Sequence, residues 1–292
     1  MSRFFRHLRI AFWRAFEHDA FGVAKGAAFS AILTFFPAIL VLASILSRSR
    51  SSELFVHEIF RAMGRILPEG TSATIAQYMT GARPVQTKFL VSTGFLTLWT
   101  ASGVMISWME GFRKAYQMPK IWGLVKERLI AFLLVVLAGV PMGFASFLVV
   151  SGNMIERWTM YHVGHGMTPY ILGLWTAMRW IIATLTSIAV IGLVYHHGVP
   201  RTQPWHRVLP GSVVATILWV FATVLFGWYV RSFANYDVIY GSVGTAIALL
   251  VWLYLVSMVV LIGAEFNAVR YPRFLFGAQS QLNSESRRVA AR

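Results

Sequence analysis

Cysteine is absent from this 292-residue sequence, and acidic residues are few. Without cysteine the chain can form no disulfide, no thiolate nucleophile and no cysteine-ligated zinc site. Only 11 Asp and Glu residues stand against 26 Lys and Arg residues, which gives a formal net charge of +15. The sequence also lacks the H-E-x-x-H, P-loop, G-x-S-x-G and G-x-G-x-x-G motifs. These absences argue against several common classes of enzyme.

Charged side chains are almost missing from six long apolar stretches. The stretches cover residues 27–46, 89–109, 129–151, 171–195, 208–230 and 240–264, and Arg179 is the one charge inside them. A helix of about 20 apolar residues crosses a hydrocarbon core of roughly 30 Å and satisfies its own backbone hydrogen bonds. The composition agrees, with 57% hydrophobic and 13% charged residues. We therefore predict an all-α, polytopic membrane bundle of six transmembrane helices.

The chain divides into a leader, a membrane domain and a tail. Residues 1–25 form a basic, amphipathic leader, residues 26–272 carry the six spans, and residues 273–292 are polar. Aromatic and aliphatic residues recur at helical spacing in the leader beside a basic set, namely Phe5, Leu8, Phe12 and Phe16 beside Arg3, Arg6, Arg9 and Arg14. This pattern predicts an interfacial helix. The polar tail lacks apolar periodicity and is expected to be disordered.

The loop between the first and second spans contains a second amphipathic segment. His57, Arg61 and Arg65 follow one another at four-residue spacing, opposite an apolar face. One interpretation is a basic surface that binds anionic headgroups or a partner protein. The other is an ordinary solvated helix face.

The distribution of basic residues predicts the orientation of the chain. If both termini are cytoplasmic, 17 Lys and Arg residues lie on the inner side and eight on the outer side. This is the bias that the positive-inside rule requires. Most of the net charge therefore sets topology, and the expected partners are membrane lipids with anionic headgroups rather than nucleic acid.

Arg179 is the most informative polar residue within the spans. A charge at the centre of a helix costs about 2.5 to 3.5 kcal/mol on insertion scales. Its guanidinium could snorkel towards the outer headgroups. Alternatively it could face a cavity, bind a phosphate or carboxylate of a substrate bidentately, or pair with Asp237, with Trp180 beside it.

Proline and small residues also mark the spans. Pro37 and Pro141 interrupt the first and third spans, where a kink could line a cavity, and Thr34 precedes Pro37 by three residues. Small residues occur in pairs four positions apart: Ala27 with Ala31, Gly139 with Gly143, Gly211 with Ala215, and Gly244 with Ala248. Such pairs favour close helix packing, either inside the bundle or at the face of a homo-oligomer.

Other polar residues lie at the ends of the spans. Glu110 and Glu265 are placed to pair with Arg113 and Arg270, or they simply mark the interface. Histidines occur in two loops: His162 and His165 in one, and His196, His197 and His206 in the other. The predicted topology puts these loops on opposite sides of the membrane, so we expect no metal site and no cofactor.

Several segments resemble the YihY/virulence factor BrkB family of multi-pass bacterial inner-membrane proteins. The strongest is YGSVGTAIALLVWLYLVSMVVLIGAEFNA at 240–268, and others are GAAFSAILTFFPAIL at 26–40, LTLWTAS at 96–102 and LPGSVVATILWVFATVLFGWYV at 209–230. Arg179 with Trp180, and Tyr195 with Pro200, fall where the family tends to carry an Arg-Trp pair and a Tyr and Pro pair. In contrast, Arg113 stands where the family often has Asn.

The resemblance implies a protein of the bacterial inner membrane whose activity is poorly defined. The family once carried a ribonuclease label, and envelope functions and lipid transport are among the roles proposed for it. The cytoplasmic segments offer neither a grouped metal site nor a positioned acid and base, so we expect no ribonuclease and no enzyme. A transporter of an amphipathic anionic substrate and a non-transporting envelope scaffold that contacts other proteins remain as hypotheses.

Overall fold

Seven helices form the part of the chain that the structure describes. The computed structural model describes residues 2–46, 87–162, 168–201, 203–233 and 242–271. The helices are α1 Ser2–Glu17, α2 Ala20–Leu46, α3 Thr87–Ala115, α4 Leu124–His162, α5 Thr168–His197, α6 Trp205–Phe233 and α7 Ser242–Arg270. These ranges contain no strand, and the predicted all-α class is confirmed.

Six of these helices, α2 to α7, are long and apolar enough to cross a membrane. They correspond one to one to the six apolar stretches, which confirms the predicted bundle of six long apolar helices. The helices continue beyond the stretches because polar residues at their ends still favour a helix once the apolar part has formed one. Pro37 and Pro141 lie inside α2 and α4 instead of ending them.

The six spanning helices pack as a ring in chain order. Each packs against the next one along the chain, and α7 closes the ring against α2 while also contacting α3. Because successive spans run in opposite directions, α2, α4 and α6 start at the end of the bundle where α3, α5 and α7 finish. The short helix α1 packs against α7 at this end, which we call the α1 end.

The amphipathic leader forms α1 as predicted. Its Ala11 packs with Phe266 of α7 and Val214 of α6, while Trp13 and Phe16 are exposed. A turn at Asp19, whose φ of 55° lies in the left-handed region that Asp tolerates, connects α1 to α2.

Helices α6 and α7 lie close together at two glycines, Gly211 and Gly263. A Cβ on Gly263 would lie 2.7 Å from the carbonyl oxygen of Gly211 and 2.8 Å from the Cβ of Ala215. The predicted contact of the Gly211 and Ala215 pair inside the bundle is therefore confirmed. In contrast, Gly139 and Gly143 of α4 are exposed, and among the described residues no atom of another helix lies within 4 Å of a Cβ built on either.

Some predicted features lie outside the described residues. They are the second amphipathic segment with His57, Arg61 and Arg65, the loop histidine His165, the acid Asp237, and the tail after Tyr271.

Candidate functional site

Arg179 is buried within the ring although it lies in a spanning helix. Its exposed fraction is 9%, whereas its neighbour Trp180 is 62% exposed. The inward face of α5 continues from Arg179 through Ser187 and Val190, which are also buried. Successive residues of a helix are rotated by about 100°, so Arg179 and Trp180 cannot share this face. The Arg179 Nη2 group donates to Thr176 Oγ1 at 3.4 Å.

The residues proposed to line a cavity lie on different helices from Arg179, and Pro141 lies at a depth similar to that of Arg179. Arg179 is eight residues from the start of its apolar stretch at Ile171, or about 12 Å, and Pro141 is ten residues from the end of its stretch at Ser151, or about 15 Å. Their helices, α5 and α4, are neighbours in the ring. Thr34 and Pro37 belong to α2, on the far side of the ring, and the Thr34 hydroxyl donates to the Ser30 carbonyl at 2.8 Å.

A second group of polar side chains is buried at the α1 end. We call the set Tyr116, Tyr195, Gln203, Glu265 and Asn267 the buried polar layer, and each member is at most 3% exposed. These residues come from the end of α3, from α5, from the loop before α6 and from α7. Four separate parts of the chain therefore contribute to one polar layer at this end of the bundle.

Glu265 connects this layer to α1. Its Oε1 atom lies 2.6 Å from His18 Nδ1, and its Oε2 atom lies 3.7 Å from Arg14 Nε. The predicted pairing of Glu265 with Arg270 is wrong. Arg270 is five residues further along α7, at an exposed position, while Arg14 of α1 and His18 in the turn after α1 contact the buried carboxylate.

The predicted pairing of Glu110 with Arg113 is also wrong. Glu110 pairs with Lys114 one helical turn later, at 3.4 Å. Arg113 instead donates to Glu127 in the first turn of α4, and Lys120 approaches the same carboxylate at 3.2 Å. These contacts cross the short connection between α3 and α4. The prediction missed them because it considered only partners at the same end of one helix.

Asn267 and Tyr195 hold the spanning helices together through backbone contacts. Asn267 Oδ1 accepts from Gly211 N–H at 2.7 Å, and its Nδ2 donates to the Val208 carbonyl at 3.0 Å. The Tyr195 hydroxyl donates to the Val260 carbonyl at 2.5 Å. Each side chain thus joins two helices: α7 to α6 through Asn267, and α5 to α7 through Tyr195.

Tyr116 and Gln203 have buried polar atoms without a hydrogen-bond partner among the described residues. The Tyr116 hydroxyl lies near the side-chain amides of Asn267 and Gln203, but it forms no well-directed hydrogen bond with either. The Gln203 Nε2 group is likewise buried and forms no hydrogen bond with a described residue. Burial raises the pKa of the Tyr116 phenol well above its ordinary value, and the nearby amides lower it by less.

Sequence reasoning did not single out most of the buried polar layer. Glu265 was expected at an interface, and Tyr195 and Asn267 appeared only within the segments that resemble the family. The available signal was a polar pair two residues apart, Glu265 and Asn267, at the end of a strongly apolar stretch. Within the described ranges, no group of three or more His, Asp or Glu side chains is placed to hold a metal ion.

The helical ring with its six apolar spans defines a polytopic integral membrane protein. The chain belongs to the Virulence factor BrkB family, whose model matches residues 11–288. The resemblance noted from the sequence is therefore confirmed, and no solved structure matches the chain.

Named relatives differ in how they are described. The chain is 32% identical over 185 residues to the putative ribonuclease-like protein YfkH of Bacillus subtilis, covering 63% of this chain and 66% of that protein. It is 27% identical over 275 residues to a UPF0761 membrane protein of Tolumonas auensis, covering 90% of this chain and 85% of that one. A UPF0761 membrane protein of Pseudoalteromonas atlantica is 26% identical over 270 residues, covering 87% and 82%.

Proposed function

We propose that this chain moves an amphipathic anionic substrate, such as a lipid, across the bacterial inner membrane. The observation that carries the proposal is the burial of Arg179 on the inward face of α5. A guanidinium in a low-dielectric bundle attracts a phosphate or carboxylate strongly and can bind it through two parallel hydrogen bonds. A headgroup that enters the ring would therefore meet a fixed positive charge about 12 Å from the end of the apolar stretch opposite α1.

The charge distribution predicts how the chain is oriented in the membrane. Both termini are cytoplasmic and α1 lies at the inner surface, because α1 and the helix ends near it carry most of the described Lys and Arg residues. Arg179 then lies in the outer half of the membrane. A substrate with an anionic headgroup would move between the inner surface and this residue.

Substitution of Arg179 in reconstituted vesicles tests the proposal. We expect wild-type protein to accelerate the transfer of fluorescently labelled phosphatidylglycerol between leaflets, read by quenching with dithionite, with and without an imposed proton gradient. Arg179→Leu should insert normally and lose this transfer. Arg179→Lys should keep only part of it, because an ammonium cannot form the planar two-bond contact.

The matched control for this experiment is Trp180→Leu. Trp180 is the next residue of α5 but faces outward, so its replacement should leave transfer unchanged. Full transfer by Arg179→Leu would remove Arg179 from the mechanism. Transfer no faster than in protein-free vesicles under both conditions would contradict transport of this lipid.

A non-transporting envelope scaffold is the second candidate function. The observation that favours it is the exposed pair Gly139 and Gly143 on α4, where a Cβ built on either glycine meets no described atom of another helix within 4 Å. Close approach of a second helix, from another copy or another envelope protein, would be sterically open there. Cross-linking in intact cells from a photoreactive residue at Val140, which is also exposed, would identify such a partner.

We do not propose a ribonuclease, although that word is part of the name of YfkH. RNA cleavage requires a positioned acid and base or a bound metal on the side that meets RNA. At the α1 end, the buried carboxylates Glu127 and Glu265 are instead engaged by Arg113 and His18.

A further inference from the structure

An apolar groove runs along the outside of the ring where α1 meets α6 and α7. Its volume is about 950 Å³, within the range of roughly 300 to 1,000 Å³ that holds most small-molecule ligands. Six of its lining residues define its course, namely Leu8, Arg9, Trp13, Leu218, Ala222 and Tyr229. Arg9 is the one charged residue among the described residues that line it.

The groove is long enough for an acyl chain and is open to the bilayer. On α7 its lining runs from Ile262, near the end that packs against α1, to Val251. On α6 it follows eleven residues from Leu218 to Tyr229, or about 16 Å, in the half of the span further from the α1 end. This length is about half of a hydrocarbon core of roughly 30 Å. Trp13 at one end and Tyr229 towards the other are both exposed, so the groove is open along its side to the acyl chains of the bilayer.

The charge of α1 selects the kind of lipid. Arg9 lies on α1 between the exposed residues Phe5 and Trp13, at the edge of the apolar face. The first turn of α1 contains no acidic residue, and Arg3 and Arg6 add positive charge on the same helix. Arginine binds a phosphate with two donors in a fixed geometry. The groove therefore combines an apolar channel one leaflet long with a phosphate-binding group at its α1 end.

We propose that this groove binds one anionic phospholipid, with an acyl chain along α6 and α7 and the phosphate at Arg9. The site is separate from Arg179, and its occupancy does not depend on whether the protein transports lipid. The lipid would complete the contact of α1 with the bundle, because it fills the space between α1 and the spanning helices.

Native mass spectrometry of the full-length, delipidated protein tests this site. Titration with phosphatidylglycerol should show a first bound lipid at lower concentration than titration with phosphatidylcholine. Arg9→Gln should raise the dissociation constant for phosphatidylglycerol about fivefold, the effect of one basic residue at an anionic surface. Its binding of phosphatidylcholine should not change.

Two controls separate this site from general attraction to lipid. Arg6→Gln removes a charge from an exposed position of α1 that does not line the groove, and it should shift binding less than Arg9→Gln. Ala222→Phe fills the groove and should abolish the first bound lipid, whereas Val224→Phe, at an exposed position outside the groove, should not. Arg179→Leu should also leave this binding intact, which keeps the test independent of transport.

Three results would overturn the proposal. The first is equal shifts in Arg9→Gln and Arg6→Gln. The second is normal binding of the first lipid by Ala222→Phe. The third is a dimer of the delipidated protein that Ala222→Phe disrupts, which would assign the groove to a second copy of the chain.

Discussion

Asn267 and Tyr116 are both buried polar residues, but they differ in how their polar atoms are satisfied. Asn267 bonds to two backbone groups of α6, whereas the Tyr116 hydroxyl forms no hydrogen bond with any described residue. Removing one partner from a buried hydrogen bond leaves the other group desolvated and unpaired. Removing a polar group that has no partner leaves nothing unpaired. Substitution of Asn267 should therefore lower the stability of the protein, whereas substitution of Tyr116 should not.

We predict that Asn267→Ala destabilises the protein and that Tyr116→Phe does not. The loss for Asn267→Ala should be about 1 to 3 kcal/mol, because the Gly211 N–H and the Val208 carbonyl lose their side-chain partner. Thermal unfolding of the two purified variants in the same detergent measures the difference. A larger loss in Tyr116→Phe than in Asn267→Ala would show that the Tyr116 hydroxyl has a partner in the native protein.

Helix α1 is attached to the ring by two kinds of contact. Ala11 packs on Phe266 and Val214, and Glu265 holds His18 and Arg14. Glu265 is 1% exposed, so its carboxylate is costly to bury without the contacts from Arg14 and His18. An ionised Glu265 therefore favours the docked position of α1.

We predict that Glu265→Gln loosens α1 from the bundle. Because the chain has no cysteine, a single cysteine at Ala11 reports on this contact directly through its rate of maleimide labelling. A hydrogen bond to a charged group is worth about 1.5 to 3 kcal/mol, so labelling of Ala11→Cys should accelerate at least about tenfold in the Glu265→Gln background.

Trp13→Cys is the control for this measurement. Trp13 is exposed on α1, so a cysteine there should react quickly whether or not α1 is docked. Equal labelling of Ala11→Cys with and without Glu265→Gln would show that apolar packing alone holds the helix.

At the scale of the whole molecule, charge determines which end faces the cytoplasm. The basic residues of α1, of the connection between α3 and α4, and of the connection between α5 and α6 all lie at the α1 end. Moving these residues across the membrane would be costly, and the opposite orientation would place most positive charge outside.

We predict that both termini are cytoplasmic and that the loop between the first two spans is external. Green fluorescent protein fused after Ala291 should fluoresce, and alkaline phosphatase at the same position should be inactive. Alkaline phosphatase inserted after Gly70, in the loop, should be active. Phosphatase activity at Ala291 would reverse the orientation and the side assigned to every residue above.

The sequence by itself determined that the protein is a bundle of six spanning helices. The reason is that a bilayer leaves few alternatives: a stretch of about 20 apolar residues must form a helix to satisfy its backbone. The leader helix α1 and the close contact at Gly211 were also readable, because amphipathic periodicity and pairs of small residues are local patterns.

Only the tertiary structure decided which polar residues meet. Glu265 and His18 are 247 residues apart in the sequence. Glu265 contacts His18 and Arg14 instead of the predicted partner Arg270, because the helix that packs nearby supplies the partners. Likewise, the sequence placed Arg179 and Trp180 together, but helix rotation buries one and exposes the other. Local periodicity sets the faces of each helix, whereas the choice of which face is inward depends on all six helices packing at once.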